Sequence, residues 1–112
     1  MGQDGVNSWP DIEPPIILLP TDPANVIGLT GFTITCNSFI GSALTQTGTD
    51  YEIWTLPQGA GSLLWSAYND SGLLLKIVPA LAVSAGTRYL RCRMRAGAKE
   101  SAWCKDKVLF VV

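Results

Sequence analysis

The stretch RYLRCRMR, Arg88–Arg95, holds every arginine of this 112-residue chain and alternates basic with apolar side chains. Successive side chains of a β-strand point to opposite faces, so the pattern predicts a strand that is buried on one side. The side chains expected to face the core are Leu90, Cys92 and Met94. Those expected to share the outer face are Tyr89, Arg91, Arg93 and Arg95.

Short segments of this kind recur from residue 14 to residue 112, separated by turn signals and without a helical period. The predicted strands are Pro14–Pro20, Leu29–Phe39, Asp50–Leu56, Leu63–Tyr68, Leu73–Val78, Arg88–Ala96 and Trp103–Val112. Seven strands at spacings of about 8–12 residues are typical of a Greek-key β-sandwich. We therefore predict an all-β sandwich domain over residues 14–112.

Residues 1–13 are polar, contain glycine and lack periodicity, so we predict an N-terminal arm or linker. Glycines at positions 2 and 5 match two collagen-like triplets. No basic segment precedes an apolar run here, so we predict no signal peptide and synthesis in the cytoplasm of the producing cell.

The composition argues against several classes of protein. A net charge of −1 disfavours general nucleic-acid binding. No run approaches the ~20 apolar residues that cross a bilayer. The chain has no histidine, which removes Ser-His-Asp and Cys-His catalysis. Asp50 and Glu52 flank Tyr51 and are expected to project to opposite faces, so we predict no catalytic carboxylate pair, no enzyme, no cofactor and no metal.

Trp54 and the outer arginines are the candidate binding residues. With Tyr51 and Ile53 pointing inward, Trp54 would lie on the outer face, either covered by a loop or subunit or free to stack on sugar rings or a partner. For Arg91, Arg93 and Arg95 we favour neutralisation within the sheet over an anion or glycan site. The acidic residues expected to neutralise them are Glu52, Glu100 and Asp106.

Cys36 and Cys92 both lie on predicted inward faces, which is where immunoglobulin domains carry their inter-sheet disulfide. Cys104, in the last predicted strand, is a second candidate partner for Cys92. Because the count is odd and no secretion signal is predicted, we favour free buried thiols, with a Cys36–Cys92 bridge as the alternative.

Three further segments carry a resemblance. They are TDYEIWT (Thr49–Thr55), GTRYLRCRMRAG (Gly86–Gly97) and SAWCKDKVLFVV (Ser101–Val112). Together they resemble a fibronectin type III/immunoglobulin-like module of bacteriophage virion proteins, across about Ile16 to Val112. Arg88 departs from that pattern, because the family usually has a tyrosine there.

The resemblance implies a non-enzymatic module on the virion surface, either a capsid decoration protein or part of a tail fibre or spike. Its partners would be other virion proteins or a host surface glycan, and copies could associate through the N-terminal segment. In a decoration protein, Trp9 of the arm would be the anchor onto the shell. The alternative is a carbohydrate-binding module that recognises host polysaccharide through Trp54, Tyr89 and the arginines.

Overall fold

A computed structural model describes residues 12–21, 24–41 and 44–112 of the chain. Within these ranges the strands are β1 (Ile17–Leu19), β2 (Ala24–Val26), β3 (Phe32–Cys36), β4 (Gly48–Leu56), β5 (Ala60–Asp70), β6 (Leu75–Val78), β7 (Gly86–Ala96), β8 (Lys99–Glu100) and β9 (Lys107–Val111). A short 3-10 turn, Pro57–Gly59, joins β4 to β5. In the part of the chain described, no helix has the length and apolar character needed to cross a membrane.

The strands form two sheets. The smaller has the order β1-β3-β6, and the larger has the order β2-β9-β7-β4-β5, with β8 paired beside β7. β2 runs parallel to β9, whereas β7 is antiparallel to both β4 and β9. The prediction of an all-β, sandwich-like domain is confirmed.

Apolar side chains from both sheets form the core. Its fully buried members are Ile34, Tyr51, Ile53, Val78, Leu90, Cys92, Met94 and Leu109. The inward faces predicted for the third and sixth predicted strands are thus confirmed. Burying an aliphatic side chain of this size contributes about 1.5–3 kcal/mol, so alternation along these strands largely determines which face becomes the interior. Cys36, Cys92 and Cys104 are all buried and unbridged, as favoured from the sequence.

The strand boundaries differ from the prediction at several points. Ala24–Val26 was not among the predicted strands, yet it forms β2, because pairing with β9 supplies a partner that the local sequence does not reveal. The last strand begins at Lys107 rather than Trp103. The segment before it follows β7 more loosely, with Cys104 N donating to Cys92 O at 2.9 Å. The chain therefore has nine strands in the described ranges rather than seven.

The predicted N-terminal arm falls mostly on residues 1–11, outside the described residues, and so does Trp9. The anchoring role of Trp9 therefore stays a prediction. Ile12 is buried and forms a β-bridge with Gly41. Glu13 N donates to Ile40 O at 2.9 Å, so residues 12 and 13 are held against the sandwich.

β5 lies at the edge of the larger sheet and is irregular along its length. Its register against β4 shifts at three places. The first ten residues of the strand, from Ala60 to Asn69, carry no charged side chain. Gly61 within β5 and Asn69 near its end adopt positive φ angles of 75° and 49°. The strand is therefore long but repeatedly bulged.

Candidate functional site on the outer face of the larger sheet

Acidic residues of β4 lie directly opposite basic residues of β7. The antiparallel register pairs Asp50 with Arg93 and Glu52 with Arg91. Side chains at such positions are close enough to interact, and opposite charges stabilise the pairing. Together with Arg95 and Glu100, these four residues form a group that we call the ion-pair ladder.

Asp50 is the most buried member of the ladder, with a fully buried side chain. Arg93 Nε donates to its Oδ2 at 2.7 Å, and Arg95 Nε donates to its Oδ1 at 2.8 Å. The backbone N–H of Asn69 donates to Oδ1 at 2.7 Å. Burial alone would raise the pKa of this carboxyl, but the hydrogen bonds from Arg95 and Arg93 hold its pKa below the usual value.

Glu52 occupies the next outward position of β4. Arg91 Nη2 lies 2.7 Å from Oε1, and the indole of Trp54 donates to the same oxygen at 2.9 Å. The hydroxyl of Tyr68 donates to Oε2. Burial acts to raise the pKa of Glu52, yet the donors Tyr68, Trp54 and Arg91 lower it overall. Glu52 is therefore a charged carboxylate fixed by three different side chains.

Glu100 completes the ladder from β8. Its Oε1 lies 3.3 Å from Arg93 Nη1, and its Oε2 lies 3.5 Å from Arg95 Nη1. The three arginines of the ladder thus meet three carboxylates, and the group has no net charge. The predicted neutralisation within the sheet is confirmed for Glu52 and Glu100.

Two expectations about acidic residues are wrong. Asp106 accepts a hydrogen bond from Gln58 N at 2.6 Å instead of facing the ladder, because the segment that holds it has left the strand path. Asp50 and Glu52 project to the same face, not to opposite faces, since side chains two positions apart in a strand share a face. Each carboxylate nonetheless forms an ion pair: Asp50 pairs with Arg93 and Arg95, and Glu52 pairs with Arg91.

Trp103 packs over the middle of the ladder. The guanidinium carbon of Arg91 lies 4.1 Å from the Trp103 ring centroid, and that of Arg93 lies 4.4 Å away. These are cation–π distances, and Arg91 also approaches the Trp54 ring at 5.8 Å. The aromatic rings and guanidinium groups therefore form one stacked assembly. The sequence had placed Trp103 only at the start of the last predicted strand.

Trp54 lies on the outer face as predicted, and it is partly covered. Its neighbours include the Arg91 side chain and the Glu52 carboxylate. Tyr89 lies next to Trp54 across the sheet, at the position paired with it in the β4–β7 register. The five predicted binding residues, Trp54, Tyr89, Arg91, Arg93 and Arg95, thus lie on one continuous surface.

A cleft of about 470 Å³ opens beside this surface. We call it the Trp103 cleft; its lining includes Gln58, Tyr89, Arg91, Trp103, Cys104 and Lys105. Gln58 is held at the rim by its bond to Asp106, in a backbone conformation with φ of 58°. Gly59 is next to it with φ of 69°, and a side chain there would meet the Arg91 guanidinium at 2.7 Å. The turn is therefore shaped to let Arg91 reach both Glu52 and Trp103.

The residues that line the Trp103 cleft supply both aromatic and polar groups. The cleft offers aromatic faces together with amide, ammonium and guanidinium donors, which suits a polar ligand or a partner side chain. Among the residues that the structure describes, no three potential ligands are grouped to hold a metal ion. No protein-family model matches this chain, and no curated protein matches it significantly.

Proposed function

We propose that this protein is a non-enzymatic surface module of a bacteriophage particle, used in capsid decoration or in a tail fibre or spike, and acting by binding proteins or the host surface. One observation carries the proposal. The three segments that resemble phage virion modules supply β4, β7 and β9, which are neighbouring strands of one sheet. Motifs of one ancestral module would be expected to lie together in this way.

The strand order supports the finer assignment to an immunoglobulin or fibronectin type III sandwich. In that family strands A, B and E share one sheet and strands C, F and G share the other. Here β1, β3 and β6 form the smaller sheet, while β4, β7 and β9 are neighbours in the larger one. Among the described strands, the chain passes between the sheets five times, from β1 to β2, β2 to β3, β3 to β4, β5 to β6 and β6 to β7. Passages between sheets of this kind are a feature of Greek-key connections.

The rigidity of the outer face supports a role in binding. Arg91 and Arg93 are each held by a carboxylate and by the Trp103 ring. A partner that docks on side chains already fixed in place loses little further side-chain entropy. The surface is therefore organised before any partner arrives, which suits a module whose task is attachment.

Immunogold electron microscopy tests the proposal on particles of the virus that encodes this chain. With antibodies raised against the purified protein, we expect gold on the surface of intact particles. Label that appears only after the particles are disrupted would contradict a surface position. Particles that stay unlabelled in both states, while the purified protein is labelled, would contradict a virion role altogether.

A carbohydrate-binding module is the second candidate, and the Trp103 cleft favours it. Aromatic faces flanked by hydrogen-bonding side chains are a common way to hold sugar rings. On a glycan array and on whole bacterial cells, we expect any binding by the domain to be lost in Tyr89→Ala. The matched control is Thr33→Ala, an exposed residue on the smaller sheet, which should bind like the wild type. Equal binding by both variants would exclude the cleft.

A further inference from the structure

The three cysteines meet at one place in the core, although they come from different parts of the sandwich. Cys36 lies in β3 of the smaller sheet, Cys92 lies in β7 of the larger sheet, and Cys104 lies before β9. The thiol of Cys92 is within hydrogen-bonding reach of both other thiols. Cys92 N also donates to Cys104 Sγ at 3.2 Å. Cys92 is therefore the shared neighbour in a row of three thiols.

One of the three cysteines borders a route from solvent. Cys104 contributes to the lining of the Trp103 cleft, directly after the tryptophan that stacks on the ladder. Cys92 is fully buried behind it. Cys104 is 8% exposed and Cys92 is fully buried, so a small molecule in the cleft would reach Cys104 before Cys92.

We propose that Cys104 is a peroxide-reactive thiol and that Cys92 resolves its oxidised form as a Cys92–Cys104 disulfide. Two hydrogen bonds join these residues at the backbone and side chain, from Cys104 N to Cys92 O at 2.9 Å and from Cys92 N to Cys104 Sγ. A hydrogen bond from the Cys92 thiol lowers the pKa of Cys104 and, likewise, that of Cys36, so the position beside the cleft is what distinguishes Cys104.

The oxidant is hydrogen peroxide, and the reaction has two steps. The Cys104 thiolate attacks one peroxide oxygen, so that an S–O bond forms, the O–O bond breaks and hydroxide leaves and is protonated to water. The Cys92 sulfur then attacks the sulfenic sulfur of Cys104. An S–S bond forms as the S–O bond breaks, and the hydroxyl departs with the Cys92 proton as a second water. Two thiols and one peroxide give one disulfide and two waters.

Cys36 is the competing partner, and the structure separates it from the first step. It lies on the opposite sheet and is not among the residues that line the cleft. Its thiol can reach Cys92, but Cys36 is 5% exposed and an oxidant would have to approach it by a route other than the Trp103 cleft. The bond that forms first should therefore join Cys92 to Cys104 within one sheet rather than Cys92 to Cys36 between sheets.

A non-reducing peptide map decides between these bonds. The folded protein is treated with hydrogen peroxide, its free thiols are alkylated, and it is then digested with trypsin. Cleavage after Arg91, Arg93, Lys99 and Lys105 places each cysteine on its own fragment. We expect fragment 92–93 joined to fragment 100–105, with the loss of two hydrogen masses, and full recovery of both fragments after dithiothreitol. Fragment 92–93 joined to the fragment that holds Cys36 would overturn the proposal.

Three serine variants provide the matched controls. Cys36→Ser should form the bond like the wild type, whereas Cys104→Ser should form none. Cys92→Ser should instead accumulate a sulfenic acid on Cys104, trapped by dimedone and found on fragment 100–105. Sulfenic acid on Cys36, or a disulfide that persists in Cys104→Ser, would overturn the proposal. If a variant fails to fold, the wild-type peptide map alone still distinguishes the two bonds.

Discussion

Asp50 and Arg93 occupy directly paired positions on β4 and β7, and Arg93 Nε lies 2.7 Å from Asp50 Oδ2. The carboxylate is fully buried beneath the two arginines that bind it. A slip of one residue in the β4–β7 register would turn Asp50 into the apolar core and expose Tyr51. This pair therefore helps to define the register of the two central strands, in addition to neutralising charge.

Removal of the Asp50 charge should destabilise the fold. In Asp50→Asn, Arg93 and Arg95 lose the closer of their two shared carboxylates and keep only Glu100 as an acidic partner. We expect the free energy of unfolding to fall by about 3 kcal/mol, the low end for breaking a buried ion pair, because both arginines are partly exposed. Urea unfolding followed by tryptophan fluorescence measures this change.

Asp70→Asn is the matched control for that experiment. Asp70 forms an ion pair with Lys76 at 2.8 Å, but both side chains are more exposed than Asp50. Solvent screens such a pair, so we expect a loss of at most about 1 kcal/mol. Equal losses in the two variants would mean that burial of Asp50 does not strengthen its contribution.

Acid should weaken the fold through Asp50 and Glu52. The pKa of each is lower in the folded protein than in the unfolded chain, whose carboxyl groups titrate near ~4. Their stabilisation is complete above that pH and is lost as the pH falls through the lower folded values. We expect the urea concentration at the midpoint of unfolding to fall between pH 6 and pH 3. The fall should be smaller in Asp50→Asn than in the wild type. An identical fall in the variant would mean that Asp50 does not contribute to the pH dependence of stability.

Alkaline pH should weaken the fold through Tyr51. Burial raises the pKa of this fully buried tyrosine, whose hydroxyl donates to Gly72 O. The unfolded chain releases its tyrosine proton near pH ~10, so the stabilisation is complete below that pH and is lost as the pH rises above it. Tyr51→Phe should cost about 1 kcal/mol at pH 7 and reduce the decline above pH 10. Urea titrations at pH 7, 9 and 11 would test both statements.

Leu81 is a site where a substitution should stabilise the protein. It holds a φ of 64° while its side chain is 73% exposed. Left-handed backbone costs a branched residue roughly 1–2 kcal/mol, and the added freedom of glycine in the unfolded chain offsets part of that gain. We expect Leu81→Gly to raise the free energy of unfolding by about 0.5–1 kcal/mol. Thermal unfolding of both variants measures this change. Leu81→Ala keeps the unfavourable φ, so its free energy of unfolding should not rise.

Alternation made the central strands predictable from the sequence. Leu90, Cys92 and Met94 are buried because apolar side chains at every second position must share one face. β2 was not predictable in this way, since the three residues Ala24–Val26 are too few for their alternation to stand out, and the strand depends on a partner distant in sequence. Local propensity cannot report a parallel pairing of that kind.

The candidate site was predictable only in part. The outward arginines and Trp54 followed from the same alternation, but Asp50 was missed as their main partner. Asp50 and Glu52 are two positions apart in β4 and therefore share a face. The same alternation rule could thus have predicted Asp50 as a partner of the arginines. Trp103 had no such signal, because its position over Arg91 and Arg93 depends on how the segment after β8 folds back.

The irregularity of β5 affects how readily the protein would aggregate at high local concentration. An edge strand of eleven residues, of which the first ten carry no charge, would normally invite pairing with the edge of another molecule. Its three register shifts break the regular spacing of backbone donors and acceptors that such pairing requires. Many copies could therefore be crowded side by side without their sheets fusing into aggregates.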